Sequence, residues 1–416
     1  MRVYRRIMSP YIIDMSGMQI KRTCEKERNT QTCDVEIERF QNGKHIYIIK
    51  RHPDPKTIIE HDSLAYARID PNIDKQDLNG CIPLIEACMH NNIDDATNLI
   101  RDGADINMTD NEGNTPLYWS CFCGNITLFN MLIDAGCDIQ TSNEDGITPL
   151  MIACGEDHLP LVKVLIENRA HVKFADERGM TPLSWSCCAG HKDIARLPIC
   201  EDFKEDTPCN HGFTFMSLYG NTRLQIVKLL IEKDAAINVS DKEGQTPVYL
   251  SCRGGYIDIV YFLVDKTCDM HKATNAGYTP FMVACSKGHR SIVELLIEKG
   301  AEKNSTDKEG NTQLSLACFR GDIDIVNLLL EEGCNTDKPN NYGITPLMKA
   351  CCAGHLYIVK LLIEKGADIN VSDKEGQTPV YLSCRGGYID IVNLLVDKSC
   401  DIHKATNAGY TPFMVA

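Results

Sequence analysis

The chain has 416 residues, with 43 lysine and arginine against 57 aspartate and glutamate side chains, a formal net charge of −14. Its apolar content of 43% and charged content of 24% are typical of a globular protein and exclude a disordered or collagen-like chain. The acidic balance argues against general nucleic-acid binding, which needs a basic face. Its apolar runs are shorter than the roughly 18 residues of a transmembrane helix.

The N-terminal segment, residues 1–76, has a pattern of its own. Alternating apolar residues on both sides of Asn42-Gly43 predict a β-hairpin with a type I′ turn, and residues 55–68 are predicted to be helical. Residues 1–52 carry 11 basic and 6 acidic side chains, a local charge of +5. We interpret the segment as a solvated cap. The alternative is a basic arm that contacts acidic lipid or nucleic acid.

From about residue 77 onward a glycine recurs at a fixed step and marks a sequence repeat. The step is constant except between the fifth and sixth glycines, where it is one residue shorter. Eleven starts are counted in this way: Gly80, Gly113, Gly146, Gly179, Gly212, Gly244, Gly277, Gly310, Gly343, Gly376 and Gly409. A fixed period of 33 residues is the signature of a repeat protein, in which each unit buries its apolar face against its neighbours.

Each repeat predicts two helices joined by a tight turn. Thr-Pro follows most of the turn glycines by two residues, as in Thr345-Pro346, and supplies an N-cap and a first helical residue. A Gly-His break, such as Gly354-His355, ends this first helix. The second helix carries an apolar stripe, as over 358–363, and ends at a glycine such as Gly366.

These features resemble the ankyrin-repeat family. The resemblance rests on the Gly-x-Thr-Pro-Leu starts, the Gly-His breaks and endings such as Leu-Leu-Ile-Glu-Lys-Gly-Ala-Asp-Ile-Asn at 361–370. It covers about 340 of the 416 residues. It implies an all-α fold, a solenoid of stacked helix pairs with projecting hairpin-like loops. It also implies that the loop tips and the first helices line a concave protein-binding surface.

One stretch departs from the pattern. Pro198 falls where the second helix of the Gly179 repeat is expected, and the next unit has Thr214-Phe215 in place of Thr-Pro. Proline inside a helix costs about 3 kcal/mol. The sequence therefore predicts a degenerate, weak joint at 196–220 between two ankyrin-repeat blocks, residues 77–195 and 221–416. The alternative is a distorted but rigid repeat.

A long internal duplication occupies the second block. Residues 226–284 match residues 358–416 at 53 of 59 positions, at a constant offset of four repeats. The later copy stops inside a first helix, and we expect the sequence to be a fragment of a longer product.

The 21 cysteines follow the repeat. Nine of them stand eight residues after a turn glycine, where a small buried side chain is expected: Cys88, Cys121, Cys154, Cys187, Cys252, Cys285, Cys318, Cys351 and Cys384. Free cysteine packs as a small apolar residue, and helices about 8–10 Å apart are too distant for a disulfide. We interpret these residues as core, predict no metal site, and infer a reducing compartment.

Catalytic motifs are not recognised in the sequence. His191, His289 and His355 occupy the same loop position in three repeats, which favours a scaffold role over a single convergent site. Trp119 and Trp185 stand six residues after their glycines, in an apolar position, and are predicted to be core residues. Lys349 occupies the same position, and the pattern does not explain it. We predict that the chain is no enzyme and needs no cofactor.

The candidate binding residues are those that the scaffold does not dictate. They flank the turn glycines or lie at the ends of first helices, and Arg and aromatic side chains are typical interface anchors. The predicted partner-binding residues are Phe122, Gln245, Arg253, Phe319, Arg320, Tyr342, Gln377 and Arg385. The arginines with Phe319 predict a basic, partly aromatic strip that suits an acidic protein partner.

The sequence thus favours a non-catalytic, intracellular scaffold or adaptor, expected in the cytoplasm, that binds a partner protein on the concave surface. The alternative is a targeting region of a longer enzyme or membrane protein whose effector domain lies beyond residue 416.

Overall fold

The computed structural model describes residues 72–188 and 222–416 with their side chains, and the backbone of 19–20, 36–42, 45–51 and 215–221. The chain divides into two compact units, residues 1–144 and 145–416. The predicted helix over 55–68 and most of the predicted joint over 196–220 lie outside the described residues, and both stay predictions.

The predicted β-hairpin is present near the N-terminus, with one change of register. Its strands β2 (Glu36–Asn42) and β3 (His45–Arg51) pair antiparallel, and the short strand β1 (Gln19–Ile20) adds to the other edge of β2. Asn42 pairs with His45, so Asn42 ends a strand rather than lying in the turn. The prediction of Asn42-Gly43 as the central turn residues was therefore wrong by one position.

Helices follow in pairs along the described part of the chain. Unit 1 contains α1 (Pro83–Met89), α2 (Ile93–Asp102), α3 (Pro116–Cys123) and α4 (Ile126–Asp134). Unit 2 begins with α5 (Pro149–Gly155), α6 (Leu159–Glu167), α7 (Pro182–Cys187), α8 (Phe215–Glu232), α9 (Pro247–Gly254) and α10 (Ile257–Asp265). It continues with α11 (Pro280–Lys287), α12 (Arg290–Glu298), α13 (Gln313–Arg320), α14 (Ile323–Glu331), α15 (Pro346–Ala353), α16 (Leu356–Glu364), α17 (Pro379–Arg385), α18 (Ile389–Asp397) and α19 (Pro412–Val415). The all-α repeat fold is confirmed.

The Thr-Pro pairs start the first helices as predicted. In α15, the Thr345 hydroxyl accepts the backbone N–H of Met348 at 3.3 Å, and Pro346 is the first helical residue. The same threonine cap is made at the start of seven further described helices, α3, α5, α7, α9, α11, α13 and α17. Each cap satisfies a backbone donor that the helix itself leaves unpaired.

The turn glycines join successive repeats within each unit. Gly343 has φ of +83°, and a Cβ on it would lie 3.0 Å from Cα of Asp373 in the next loop. This close approach lets the loops bond to each other, since Lys374 donates its backbone N–H to the carbonyl of Tyr342 at 2.9 Å. Glycine is required there both for the left-handed backbone and for the missing side chain.

The core lies between first and second helices of neighbouring repeats. In α16, Ile358, Val359 and Leu362 are at most 1% exposed, which matches the predicted apolar stripe. The cysteine eight residues after each turn glycine is also buried in every described repeat, including Cys187 and Cys351 at 0%. These thiols fill space where a larger side chain would separate the helices.

One repeat of unit 2 is interrupted by an insertion. Lys242 donates its backbone N–H to the carbonyl of Arg178 at 2.8 Å, so the loops of Gly179 and Gly244 are direct neighbours in the stack. Helix α8 packs against α7 and α6, as the second helix of the Gly179 repeat should. The interval between these two glycines, for which the period predicts two repeats, therefore contributes one repeat to the stack.

Candidate protein-binding surface

Basic side chains cluster at the ends of the first helices of unit 2. Arg253, Lys287, Arg320 and Arg385 each lie in the last turn of α9, α11, α13 or α17, where the negative end of the helix dipole favours a cation. Together with Phe319 and Lys349 they form a surface that we call the first-helix strip.

Arg253 is held in place by two neighbours. Its Nη1 donates to Oε1 of Gln245 at 2.8 Å, and its Nη2 lies 3.2 Å from Sγ of Cys188. Gln245 follows the turn glycine of the same repeat, so the bond ties the helix end to the loop. Arg253 is half-buried, and its guanidinium is thus preorganised rather than free in solvent.

Arg385 repeats this arrangement in the later copy. Its Nη1 donates to Oε1 of Gln377 at 3.1 Å. Gln377 in turn donates its Nε2 to the carboxylate of Glu375. Arg385 is exposed, so more of its guanidinium surface is open to a ligand than in Arg253.

An aromatic cluster occupies the middle of the first-helix strip. Phe319 is 56% exposed, and Nζ of Lys349 lies 5.4 Å from the centroid of its ring. Nη1 of Arg320, next to Phe319 on α13, is 3.5 Å from the carbonyl oxygen of Ser286. A cation over an exposed aromatic ring combines apolar contact area with positive charge, which suits a partner with acidic and apolar side chains.

The cations of the first-helix strip form no direct ion pair with the described residues, although the charges of Arg253 and Asp241 interact through space. The ion pairs between described residues lie elsewhere and involve none of its five lysine and arginine side chains. In a chain of net charge −14, this leaves five cations on one surface without a directly paired carboxylate. Such a surface attracts acidic partners and increases their rate of association.

Two predicted binding residues belong neither to the first-helix strip nor to the glutamines that contact its arginines. Tyr342 is at a loop tip of unit 2 and is 56% exposed. Its backbone N–H donates to Oδ1 of Asn340 at 2.9 Å, and this bond fixes the loop. Phe122 belongs to unit 1, is half-buried, and packs its ring edge against Trp119, with centroids 5.7 Å apart.

Sequence reasoning did not include Lys287 and Lys349 among the binding residues. A signal for Lys349 was present, because a lysine stands in a position that is apolar in most repeats. The structure explains it: the ammonium group leaves the core position and reaches the ring of Phe319 in the preceding repeat. Lys287 is exposed at the end of α11, in the same position of its repeat as Arg320.

The tryptophans are core residues, as the sequence predicted. Trp119 is 5% and Trp185 1% exposed. The indole N–H of Trp119 donates to Oδ2 of Asp110, and that of Trp185 to Oδ2 of Asp176, both at 3.0 Å. Each tryptophan thus ties its helix to the loop that precedes it, and neither offers a surface to a ligand.

The repeated histidines hold neighbouring repeats together. Nε2 of His289 donates to the carbonyl of Arg253 at 3.2 Å, and Nε2 of His355 to the carbonyl of Phe319 at 3.1 Å. Both acceptors lie near the end of the first helix in the preceding repeat, where carbonyls lack helical partners. The geometry gives these histidines a structural role.

The buried cysteines are weak nucleophiles. Burial raises the pKa of the Cys187 thiol and of the Cys351 thiol to about 12, so both stay protonated near neutral pH, and the thiolate is the reactive form. Among the residues that the structure describes, no group of three or more histidine, cysteine or acidic side chains is placed to hold a metal ion.

Capped helix pairs that stack through glycine loops define a solenoid repeat protein, a class that uses its extended surface for binding. A family model described as ankyrin repeats, three copies, matches residues 58–143, 135–206, 215–307 and 300–373, and a model of the single ankyrin repeat matches 375–407. The chain therefore belongs to the ankyrin-repeat family. Ankyrin repeats are generally protein–protein interaction modules, and the family is typically non-catalytic.

A search of curated proteins finds no match to this chain. Within residues 72–188 and 215–416, no helix combines the length and apolar character needed to cross a membrane.

Proposed function

We propose that this protein is a non-catalytic scaffold or adaptor that binds an acidic partner protein through the first-helix strip of unit 2. The observation that carries the proposal is a row of five cations without intramolecular ion pairs among the described residues, centred on the half-exposed ring of Phe319. This strip lies at the first-helix ends, which the family resemblance assigns to the concave surface.

The partner-binding residues proposed are those at the helix ends and loops. Arg253, Arg320 and Arg385 supply charge, and Phe319 supplies an anchor that becomes buried on complex formation. Gln245 and Gln377 orient two of the arginines, and Tyr342 is a loop-tip contact of the same unit. Phe122, in unit 1, is proposed as a partner contact in its own right. A prebuilt helical surface loses little conformational entropy on binding.

An intracellular, cytoplasmic location is part of the same proposal. It is supported by the free thiols of the described residues, most of which are buried. A chain that keeps so many reduced cysteines fits a reducing compartment.

The test compares partner capture from native cell lysate by three proteins. These are the native chain, the charge-reversed Arg253→Glu/Arg320→Glu/Arg385→Glu variant, and a control with the same change in net charge. The control reverses three exposed lysines at the ends of second helices: Lys266, Lys299 and Lys365. Circular dichroism first establishes that all three fold.

We expect a partner that the native chain and the control capture and that the strip variant loses. Equal capture by the strip variant and the native chain would refute the proposed surface. Loss of capture by both variants would show that net charge, rather than the strip, governs binding, and would also contradict the proposal.

A further inference from the structure

One part of the first-helix strip is repeated without change in the sequence, together with the loop that precedes it. Residues 237–260 and 369–392 are identical at all 24 positions. The six differences within the longer duplication fall at or after the ends of second helices or on the exposed half of α10 and α18: Asp234/Gly366, Ala236/Asp368, Tyr261/Asn393, Phe262/Leu394, Thr267/Ser399 and Met270/Ile402. The loop and first helix that carry each arginine are therefore unchanged.

The two copies also have the same local geometry. Oδ1 of Asp241 accepts the backbone N–H of Gln245 at 2.6 Å, and Oδ1 of Asp373 accepts that of Gln377 at 2.8 Å. Each glutamine then accepts Nη1 of the arginine eight residues later, at 2.8 and 3.1 Å. The result is a loop carboxylate, a glutamine and an arginine linked in series, present twice.

The spacing of the two arginines follows from the repeat. They are four repeats apart in sequence, and all four of those repeats lie in the uninterrupted part of unit 2. Neighbouring helices pack about 8–10 Å apart, which places the two arginine sites about 32–40 Å from each other. A single eight-residue segment spans at most about 29 Å when fully extended. One short segment therefore cannot occupy both sites.

We propose that the first-helix strip is bivalent: Gln245–Arg253 and Gln377–Arg385 form two equivalent sites, and the partner is a protein that presents the same acidic segment twice. This inference rests on the proposed function. Identical side chains on an identical backbone bind the same ligand chemistry, and a guanidinium fixed by a neutral glutamine keeps its remaining donors for a carboxylate. Linking two such contacts raises affinity through effective concentration.

The two sites differ only in their surroundings. Arg253 is half-buried beside Cys188, whereas Arg385 is exposed and its glutamine is shared with Glu375. We therefore expect the affinities of the two sites for one acidic segment to agree within about tenfold. The cluster of Phe319 and Lys349 is not duplicated, and it lies between the two arginine sites along the chain.

The first experiment titrates the native chain with an eight-residue peptide of alternating Glu and Ser by calorimetry, at low and at physiological salt. We expect two peptides to bind per chain. Arg253→Ala and Arg385→Ala should each reduce the stoichiometry to one, and the double variant should reduce it to zero. The matched control, Lys266→Ala/Lys365→Ala, alters exposed lysines of second-helix ends and should keep two.

The second experiment joins two copies of this peptide by about 40 Gly/Ser residues. Such a linker has a root-mean-square length of about 32–38 Å, which matches the expected separation. We expect the tandem peptide to bind the native chain at least about 100-fold more tightly than the single peptide. Either single arginine variant should lose this gain, and the lysine control should retain it.

The outcomes separate the two proposals. A stoichiometry of one for the native chain, with no gain from the tandem peptide, would overturn bivalency and leave the acidic-partner function standing. No binding of the acidic peptide to the native chain at low salt would overturn both. Two bound peptides that persist in the double arginine variant would refute the assignment of the sites.

Discussion

The buried ion pair between Arg223 and Asp157 is the clearest test of how the stack continues past the insertion. Nε of Arg223, on α8, donates to Oδ1 of Asp157 at 2.8 Å, and its Nη1 donates to the carbonyl of Cys188 at 2.8 Å. Its guanidinium also lies 4.6 Å from the ring centroid of Tyr256. One side chain thus contacts three consecutive repeats, and we predict that Arg223→Met destabilises unit 2 strongly.

The expected magnitude follows from burial. Both side chains are 8% exposed, and removing one partner of a buried ion pair costs about 3–5 kcal/mol because the other charge is left uncompensated. Burial raises the pKa of Asp157 even with Arg223 beside it, which shows how unfavourable the charged carboxylate is there. At roughly 2–4 °C per kcal/mol for a unit of this size, we expect Tm to fall by about 6–20 °C.

The pH dependence has a definite sign. Without Arg223, the pKa of Asp157 rises further, so the folded state binds a proton that the unfolded state releases at its ordinary pKa of 3.8. The free energy of unfolding then falls as the pH rises from 3.8 to the higher pKa of Asp157 in the folded state. Arg223→Met should therefore cost less at pH 4 than at pH 7, when each variant is compared with the native chain at the same pH.

The other repeats indicate a pair of substitutions that should offset the loss of the Arg223–Asp157 ion pair. Arg223 precedes His355 by the same four-repeat offset that relates the two copies of the duplication. The glycine that faces His355 is Gly321, whose absent Cβ would lie 2.4 Å from the ring. Asp157 takes the place of that glycine and has φ of +60°, a conformation that glycine adopts at lower cost. The double variant Asp157→Gly/Arg223→His should lie within about 1 kcal/mol of the native chain, because it restores a pairing that other repeats use.

The assay is urea unfolding of the native chain, the two single variants and the double variant, with hydrogen exchange of the α6 and α8 amides to locate the effect. Repeat arrays can unfold in parts, so the local readout is needed beside the global one. A cost below about 1 kcal/mol for Arg223→Met would refute the reasoning. So would a double variant as unstable as the sum of the two single ones.

Three further predictions concern stability and exchange. Asp234→Gly should raise the free energy of unfolding in urea, because Asp234 has φ of +66° and the duplicate has Gly366 there, and because the ion pair of Asp234 with Lys173 that is lost is exposed and weak; a lower free energy of unfolding would contradict this. Burial raises the pKa of Cys351 from 9.0 to about 12, so this thiol alone should lower the free energy of unfolding by up to about 1.4 kcal/mol per pH unit above pH 9, and Cys351→Ala should reduce the slope by that amount. Amides of 196–210 should exchange faster than those of 356–366, and equal protection would exclude a weak joint.

Most of the repeat architecture was predictable because it depends on local rules. Thr345 caps a helix and Pro346 begins it wherever the pair occurs, and the Cys351 position tolerates only a small side chain because helices meet there. These constraints act within one repeat and its neighbours, so the period of the sequence contains them.

The period of the sequence predicts one repeat too many between Gly179 and Gly244, and the reason is physical. Gly212 falls close to the period and was counted as a start, but the loop of Gly179 bonds directly to that of Gly244. The better signal was the duplication itself, since residues 224–232 correspond to 356–364 and identify the end of α8 as an ordinary second helix. Identity over many positions is a stronger constraint on placement than the position of one glycine.

The candidate site was partly predictable for the same reason. Arg253 and Arg385 could be predicted because the repeat scaffold does not determine the residue at their positions. Their hydrogen bonds to Gln245 and Gln377 depend on side-chain conformation, which the sequence period does not contain. The contact of Phe319 with Lys349 joins positions that are slightly less than one repeat apart. Contacts between successive repeats of this kind become predictable once each residue is numbered within its own repeat.

Duplication of a repeat block has a functional consequence that differs from duplication of a compact domain. In a stack, each repeat contacts only its neighbours, so a copied block retains its internal contacts and its surface. The Gln245–Arg253 contact lies within one repeat, and the copied contact of Gln377 and Arg385 re-forms without any change elsewhere. A binding residue that depends on a single repeat is therefore multiplied at a fixed spacing, and bivalency follows from the architecture rather than from new contacts.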